Sequence, residues 1–389
     1  WSAHMDLLLP EGLDKQPLSA IAAKIQAAGF NCVRMNTATY MFTRLEYGNV
    51  TIPQTLDLFP VPGAKAGVAR NNPGLLGVEK NVLDGLMAAV DELGKRNLMV
   101  IVDNHVSSPG WCCSNDDGNG FFGDQFFDPY EWLRGLIIMA NIFKHHPAVI
   151  GISLRNELRG SRQNEAEWYK FMAEGAMAVH KENPDFLVIV SGLSYAGDLG
   201  FLHRTPLGVG NLGNKLVYEA HWYAFGNSAQ KWAARTNYLC GLITNSIIDK
   251  FMFVTQGQNP FPLFLSEFGI DQRGINEADN RYISCLLATV AELDVDWSLW
   301  TFQGSYFLRQ GNANFEETYG VMDFNWNQFR NPQFLSRLDM IRAINIANNQ
   351  SPIYRKLFHP QSGKCLGALD GSVFLVNCKA ATLWANHVD

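Results

Sequence analysis

The run Val149-Ile150-Gly151-Ile152-Ser153-Leu154 is apolar almost without interruption, and it breaks off into Arg155-Asn156-Glu157-Leu158-Arg159. A short continuous apolar run of this kind reads as a parallel strand buried on both faces. Ionisable groups at the end of such a strand have to be paired or used, and strand ends are where parallel α/β enzymes keep their chemistry. Taken alone, the stretch is explained as well by an Arg155–Glu157 salt bridge capping the strand. Its recurrence is what constrains the fold. Similar runs occupy 31–36, 98–105, 186–190, 216–223, 262–269 and 296–300, ending near Asn36, His105, Ser191, Tyr223, Glu267 and Trp300.

Helical periodicity separates most of these runs, at 17–28, 79–95, 129–145, 163–182, 229–250, 276–292 and 332–347. Strands alternating with helices at roughly 30 residues per unit predict a (β/α)8 TIM barrel. Seven strands are complete, and Trp1 as the last residue of a truncated first strand makes eight. A doubly wound open sheet is the competing arrangement, but no G-x-G-x-x-G loop follows an early strand. Residues 42–78 carry Pro, Gly and Asn without clean periodicity and are expected to form a long loop over one end of the fold. A second loop, 107–128, is rich in Gly, Asp and Asn. From 351 to 389 the helical period disappears, so the chain divides into a barrel at 1–350 and a small, incomplete β module.

With 47% hydrophobic residues in 389, the chain can bury a large core, and a net charge of −6 argues against nucleic acid as a partner. No apolar run reaches membrane-spanning length, so no membrane partner is expected. Ten Trp suit a protein that stacks flat apolar faces such as sugar rings, although core packing uses them too. Trp1 is not an initiator Met, so a missing signal peptide says nothing about export. The sequons Asn49-Val50-Thr51 and Asn349-Gln350-Ser351 point to the secretory route, hence an extracellular or cell-wall location. Seven Cys without a C-x-x-C set leave at least one thiol unpaired within the chain. Neighbouring cysteines rarely bridge each other, so Cys112 or Cys113 is expected to reach elsewhere, with Cys240 a candidate partner.

Two strands end in glutamate, Glu157 and Glu267, about three βα units apart, so in a closed barrel they can face each other across the axis. Glycoside hydrolysis needs such a pair, one carboxyl protonated to serve the leaving oxygen and the other ionised to attack or assist. Arg34 could hold Glu267 ionised, and Asn156 could donate to a sugar 2-hydroxyl. His105, His221 and Tyr223 could orient substrate, and Trp300 could floor a pyranose ring. Taken singly, each histidine reads more readily as a satisfied interior residue and Trp300 as barrel core; together they crowd the rim of one barrel. A metal could instead use Asp103, His105, Glu157, His221 and Glu267, but H-E-x-x-H is missing and no metal or other cofactor is expected. Neither Ser107 nor Ser191 sits in a nucleophile elbow.

In order and spacing these residues resemble glycoside hydrolase family 5, the cellulase-like group of (β/α)8 barrels. The resemblance covers residues 1–347 and runs through Arg34, His105, Asn156-Glu157, His221, Tyr223, Glu267 and Trp300. It implies that Glu157 is the acid/base and Glu267 the nucleophile of a retaining hydrolase. The implied substrate is a β-linked glycan, of β-glucan or β-mannan type, cleaved by a monomer. Asp103-Asn104-His105 followed by Trp111-Cys112-Cys113-Ser114 is similar to a plant-type branch. Leu158 stands where many of the family's cellulases have Pro. The tail resembles the opening of a ricin-type β-trefoil lectin module through Cys365-Leu366, Leu375, Cys378 and Trp384, which implies a Cys365–Cys378 disulfide. The alternative from another class is a catalytically silent glycan-binding barrel with a lectin-like tail.

Overall fold

The computed structural model describes residues 1–342, 354–359 and 361–385. Seven parallel strands form one sheet in sequence order: β1 (Cys32–Ala38), β2 (Met99–Val106), β3 (Val149–Ser153), β4 (Leu187–Ser191), β5 (Leu216–His221), β6 (Leu263–Phe268) and β7 (Asp296–Leu299). The eighth position is held by a stub, in which Ala3 N–H donates to Asn36 O and Asn36 N–H donates to Trp1 O. Beyond it, between β1 and β7, lies a cavity of about 310 Å³ lined by Cys32, Arg34, Trp297 and Leu299, with Trp1 at its edge. The architecture is a (β/α)8 barrel, as the alternation of elements predicts.

The helices pack outside the strands and brace their ends. Pro129–Phe143 starts where Asp128 accepts the Tyr130 and Glu131 N–H groups, with Pro129 in the first turn where its missing donor is harmless. It buries Trp132, Leu136, Met139, Ala140 and Phe143, the stripe expected of a core-facing helix. Trp132 donates its indole N–H to Leu154 O at 2.8 Å, and Trp168 on Glu165–Glu182 donates to Ser191 O at 2.9 Å. Gly151 lets β3 and β4 close up, because a Cβ there would lie 2.6 Å from Leu187 O.

Several expectations need correction. Residues 42–78 are largely helical, with Leu45–Gly48, Ile52–Leu58 and Ala64–Asn71 in place of a long loop. These helices are too short to show a period. They stand on local devices: Thr51 and Gln54 form a reciprocal capping box, and Asn72 ties the segment to Leu13 O and Leu18 N–H. The helix expected at 229–250 is broken into Ala229–Ala234 and Thr236–Lys250. Arg155 makes no cap with Glu157: its guanidinium donates to Asn104 Oδ1, Ser107 Oγ and Asn119 O, so it pins the 107–128 loop.

The expected helix at 332–347 appears as Pro332–Arg337 and Asp339–Arg342, and its remainder falls outside the described residues, as does the division at 350/351. In the tail, Phe358–His359, Lys364–Leu369 and Ser372–Val376 form an antiparallel sheet closed by the Cys365–Cys378 disulfide. Lys379 Nζ reaches Asp339 at 3.2 Å and joins this piece to the barrel.

The Cys240 pairing is also corrected. Cys240 bridges to Cys285, because Thr236–Lys250 packs beside Glu277–Leu293, which carries Cys285. Cys112 and Cys113 bridge each other in the loop after β2, and Cys32 is the free thiol.

Candidate active site

All eight residues singled out in the sequence meet at the C-terminal end of the sheet. Arg34 on β1 is the hub. Its Nη1 donates to Glu267 Oε1 at 2.8 Å, and its Nη2 donates to Asp103 Oδ1 and Asn156 Oδ1, both at 2.9 Å. Glu219 Oε2 lies 3.6 Å from the same Nη2. One buried guanidinium therefore serves three carboxylates, which its planar fork allows and an ammonium would not. Burial alone would push Asp103 up, but Arg34 and His105 hold it well below the usual carboxylate range.

Glu157 follows β3 and Glu267 lies on β6, and their surroundings differ. Glu157 Oε1 meets His221 Nδ1 at 2.8 Å, while His221 Nε2 meets Ser266 Oγ at 3.0 Å. Burial pushes the Glu157 carboxyl up to about 7, against the opposing pull of Arg159, His105 and Arg34. Glu267 receives Arg34 on one oxygen and the Tyr223 hydroxyl on the other, at 3.0 Å. Burial raises Glu267 as well, with His221 and Arg34 pulling it back toward the ionised form. The arrangement separates the two acids: one has two strong donors on its charged form, and the other sits against an imidazole whose protonation burial disfavours.

Around them lies a cleft of about 1160 Å³, whose lining includes Trp111, Tyr195, Tyr223, Phe225, Trp300 and Tyr319. Trp300, just past β7, stacks on His105 with ring centres 5.7 Å apart. Arg309, from the hairpin of Ser305–Arg309 and Asn312–Glu316, lies over the Trp111 ring at 3.4 Å and completes a wall.

Sequence reasoning did not single out Asn36, Glu219 and Ser266 as partners of this site, and it used Asp103 only as a potential metal ligand. A signal for most of them was present. Asn36, Asp103 and Glu219 stand two residues from Arg34, His105 and His221 on the same strands, so the period of two puts each pair on one face. The Cys112–Cys113 disulfide in the cleft wall was missed because sequence alone favoured separate partners.

Among the described residues two clusters bring ligand-type atoms within 4.8 Å of one another: Glu157, His221 and Glu267, and His105, Cys112 and Cys113. In the first, both Glu267 oxygens and both His221 nitrogens already have protein partners. The three side chains are thus engaged in one hydrogen-bonded network.

Residues 10–305 match the family model described as Cellulase (glycosyl hydrolase family 5). A glycosyl hydrolase 5 family protein from Chamaecyparis obtusa is 43% identical over 390 aligned positions, spanning 98% of this chain and 69% of that protein. An endoglucanase from Paenibacillus polymyxa is 21% identical, covering 83% of this chain and 76% of its own length. Among solved structures, an endocellulase from Pyrococcus horikoshii in complex with cellotetraose shares the fold with a TM-score of 0.69 at 17% identity. That match covers 88% of this chain and 91% of the other.

Proposed function

This chain belongs to glycosyl hydrolase family 5 and is an O-glycosyl hydrolase, and from that premise we propose that it cleaves β-linked glucan or mannan chains with retention of configuration. Glu157 is the acid/base and Glu267 the nucleophile. The observation that carries the reading is the carboxylate pair itself, with oxygens of the two groups inside a 4.8 Å cluster and different partners, an imidazole on Glu157 and a guanidinium and a hydroxyl on Glu267. Retaining pairs stand roughly 5–5.5 Å apart and inverting pairs roughly 6.5–9.5 Å, the wider gap leaving room for a water.

The reaction then runs in two displacements. Glu157 gives its proton to the glycosidic oxygen while Glu267 attacks the anomeric carbon, so the glycosidic bond breaks as a glycosyl ester forms. Water, deprotonated by Glu157, then attacks the same carbon and releases Glu267. Asn156 Oδ1 is tied to Arg34, which fixes the amide so that Nδ2 can serve the sugar 2-hydroxyl. Trp300 offers the ring its floor, and Tyr223 steadies the nucleophile. The relatives named as endoglucanase and the cellotetraose held by the archaeal enzyme support a β-glucan. Three disulfides support an oxidising, extracellular location. The intact carboxylate pair and the family membership disfavour the silent-barrel alternative.

The test uses defined β-1,4-glucan, β-1,3-glucan and β-mannan oligosaccharides, with the anomer of the first product read by NMR. A β product is expected from at least one of them, and an initial α product removes retention. Glu267→Ala and Glu157→Ala should each abolish turnover of the natural linkage. On a dinitrophenyl β-glycoside, whose leaving group needs no proton, azide should speed turnover by Glu157→Ala with a β-glycosyl azide as product, and undiminished hydrolysis by Glu267→Ala overturns the assignment.

A further inference from the structure

The cleft wall beside the acid/base carries a pair of sulfurs that hydrolysis leaves unused. Cys112 and Cys113 are joined to each other, and Asn156 Nδ2 lies 3.7 Å and 3.6 Å from their Sγ atoms. The same Nδ2 lies 3.3 Å from His105 Nε2. The imidazole and both sulfurs form one cluster within 4.8 Å. On its far side, His105 Nδ1 sits 2.7 Å from Asp103 Oδ2, a carboxylate that keeps the proton on Nδ1 and leaves the Nε2 lone pair to accept, here from Asn156 Nδ2. This is the carboxylate–histidine arrangement found behind metal-ligating imidazoles.

As a disulfide the pair offers no thiolate, and the sulfurs are poor ligands. As a dithiol it offers two thiolates beside an imidazole, three of the four ligands a tetrahedral site needs once the sulfurs have parted from bonding distance. We propose that the reduced Cys112/Cys113 pair, together with His105, binds a soft divalent cation of the Zn²⁺ type, and that the redox state of the pair decides whether the cleft accepts glycan. A dithiol reductant passes two electrons and two protons to the Cys112–Cys113 bond and leaves as its own disulfide. Metal binding then releases the two thiol protons. Both sulfurs line the cleft, so a small reductant can reach them.

The consequence for hydrolysis rests on the reaction assigned above, whereas the binding does not. Asn156 Nδ2 lies within 3.7 Å of Nε2 and of both sulfurs, so a cation bound by those three atoms repels the amide hydrogens and turns Nδ2 away from the sugar contact assigned above. The added positive charge beside Glu157 also favours its ionised form and disarms the proton donor.

The test measures Zn²⁺ stoichiometry on the full chain with a chromophoric chelator, before and after phosphine reduction. The comparison protein is Cys112→Ser/Cys113→Ser, which retains the other two disulfides. Reduced wild type should take up about one equivalent more than the reduced variant, and the oxidised proteins should not differ. Zinc should lower hydrolysis by the reduced wild type by about tenfold or more, with recovery on adding chelator. Peptide mapping on the wild type alone covers a variant that fails to fold: zinc should shield Cys112 and Cys113 from alkylation. Equal stoichiometry in the two reduced proteins, or unshielded cysteines, overturns the site. Zinc uptake in a protein that hydrolyses nothing keeps the site and refutes the assigned reaction instead.

Discussion

Raising the pH through 7 should switch the enzyme off by deprotonating one group, Glu157. Its carboxyl is pushed up to about 7 by burial. At pH 6 an ordinary glutamic acid, with a pKa of about 4.3, carries its proton in about one molecule in fifty, whereas a group at about 7 carries it in about nine of ten. Burial therefore supplies roughly a 45-fold larger population of the proton donor at that pH. The sign follows from the role: the protonated form is active, so activity is present below about 7 and lost as pH rises. Between pH 6 and pH 8, kcat/KM should fall about tenfold, and about tenfold more by pH 9. Glu157→Gln, which cannot donate, should cost about 10²–10⁴ in rate on an unactivated oligosaccharide. On a dinitrophenyl β-glycoside, whose leaving group needs no proton, the variant should lose far less and show no alkaline limb. Initial rates at low substrate from pH 4 to 9, on both substrates and both proteins, measure this directly. A wild type that stays flat from pH 6 to 9, or a variant that keeps the limb with the activated substrate, refutes the assignment of the acid.

Two further outcomes follow from the same geometry. Arg34→Gln strips the guanidinium from between Asp103, Glu219 and Glu267. It should cost about 3–5 kcal/mol of stability at neutral pH, and the acidic limb of the rate profile should move to higher pH as Glu267 loses its cation. An unchanged urea midpoint would show that the hub carries no such load. Cys240→Ser with Cys285→Ser opens a bridge spanning 45 residues between two outer helices. By loop entropy this should lower stability by about 4 kcal/mol, leaving kcat/KM of the folded protein unchanged, and a thermal midpoint equal to wild type would contradict it.

The barrel and the set of side chains gathered at its rim were legible because both are written in strand periodicity. Each apolar run ends at a polar tip, and the closed sheet brings the tips of 34, 105, 157, 221, 267 and 300 to one rim whatever the helices do. The same periodicity carried more than was taken from it, since Asn36, Asp103 and Glu219 face inward beside their neighbours two residues away. The helices within 42–78 were hidden for a physical reason. Four to eight residues are too few to display a period, and their stability comes from caps and from Asn72 bridging to Leu13 and Leu18. Arg155 was misjudged because its partners lie 36 to 51 residues away, Asn104 on β2 and Ser107 and Asn119 in the patternless loop that follows it. The bond between Cys112 and Cys113 goes against the general preference that guided the expected pairing.

The two indole bonds that tie Trp132 to Leu154 and Trp168 to Ser191 make the barrel a jig. They clamp the ends of neighbouring strands from outside, so Glu157 is registered by the scaffold. The rim segments 107–128 and 304–326 sit in front of that clamp. A redesign that grafts different rim segments onto this frame would change which sugars fit the cleft, while Glu157 stays where the tryptophans hold it.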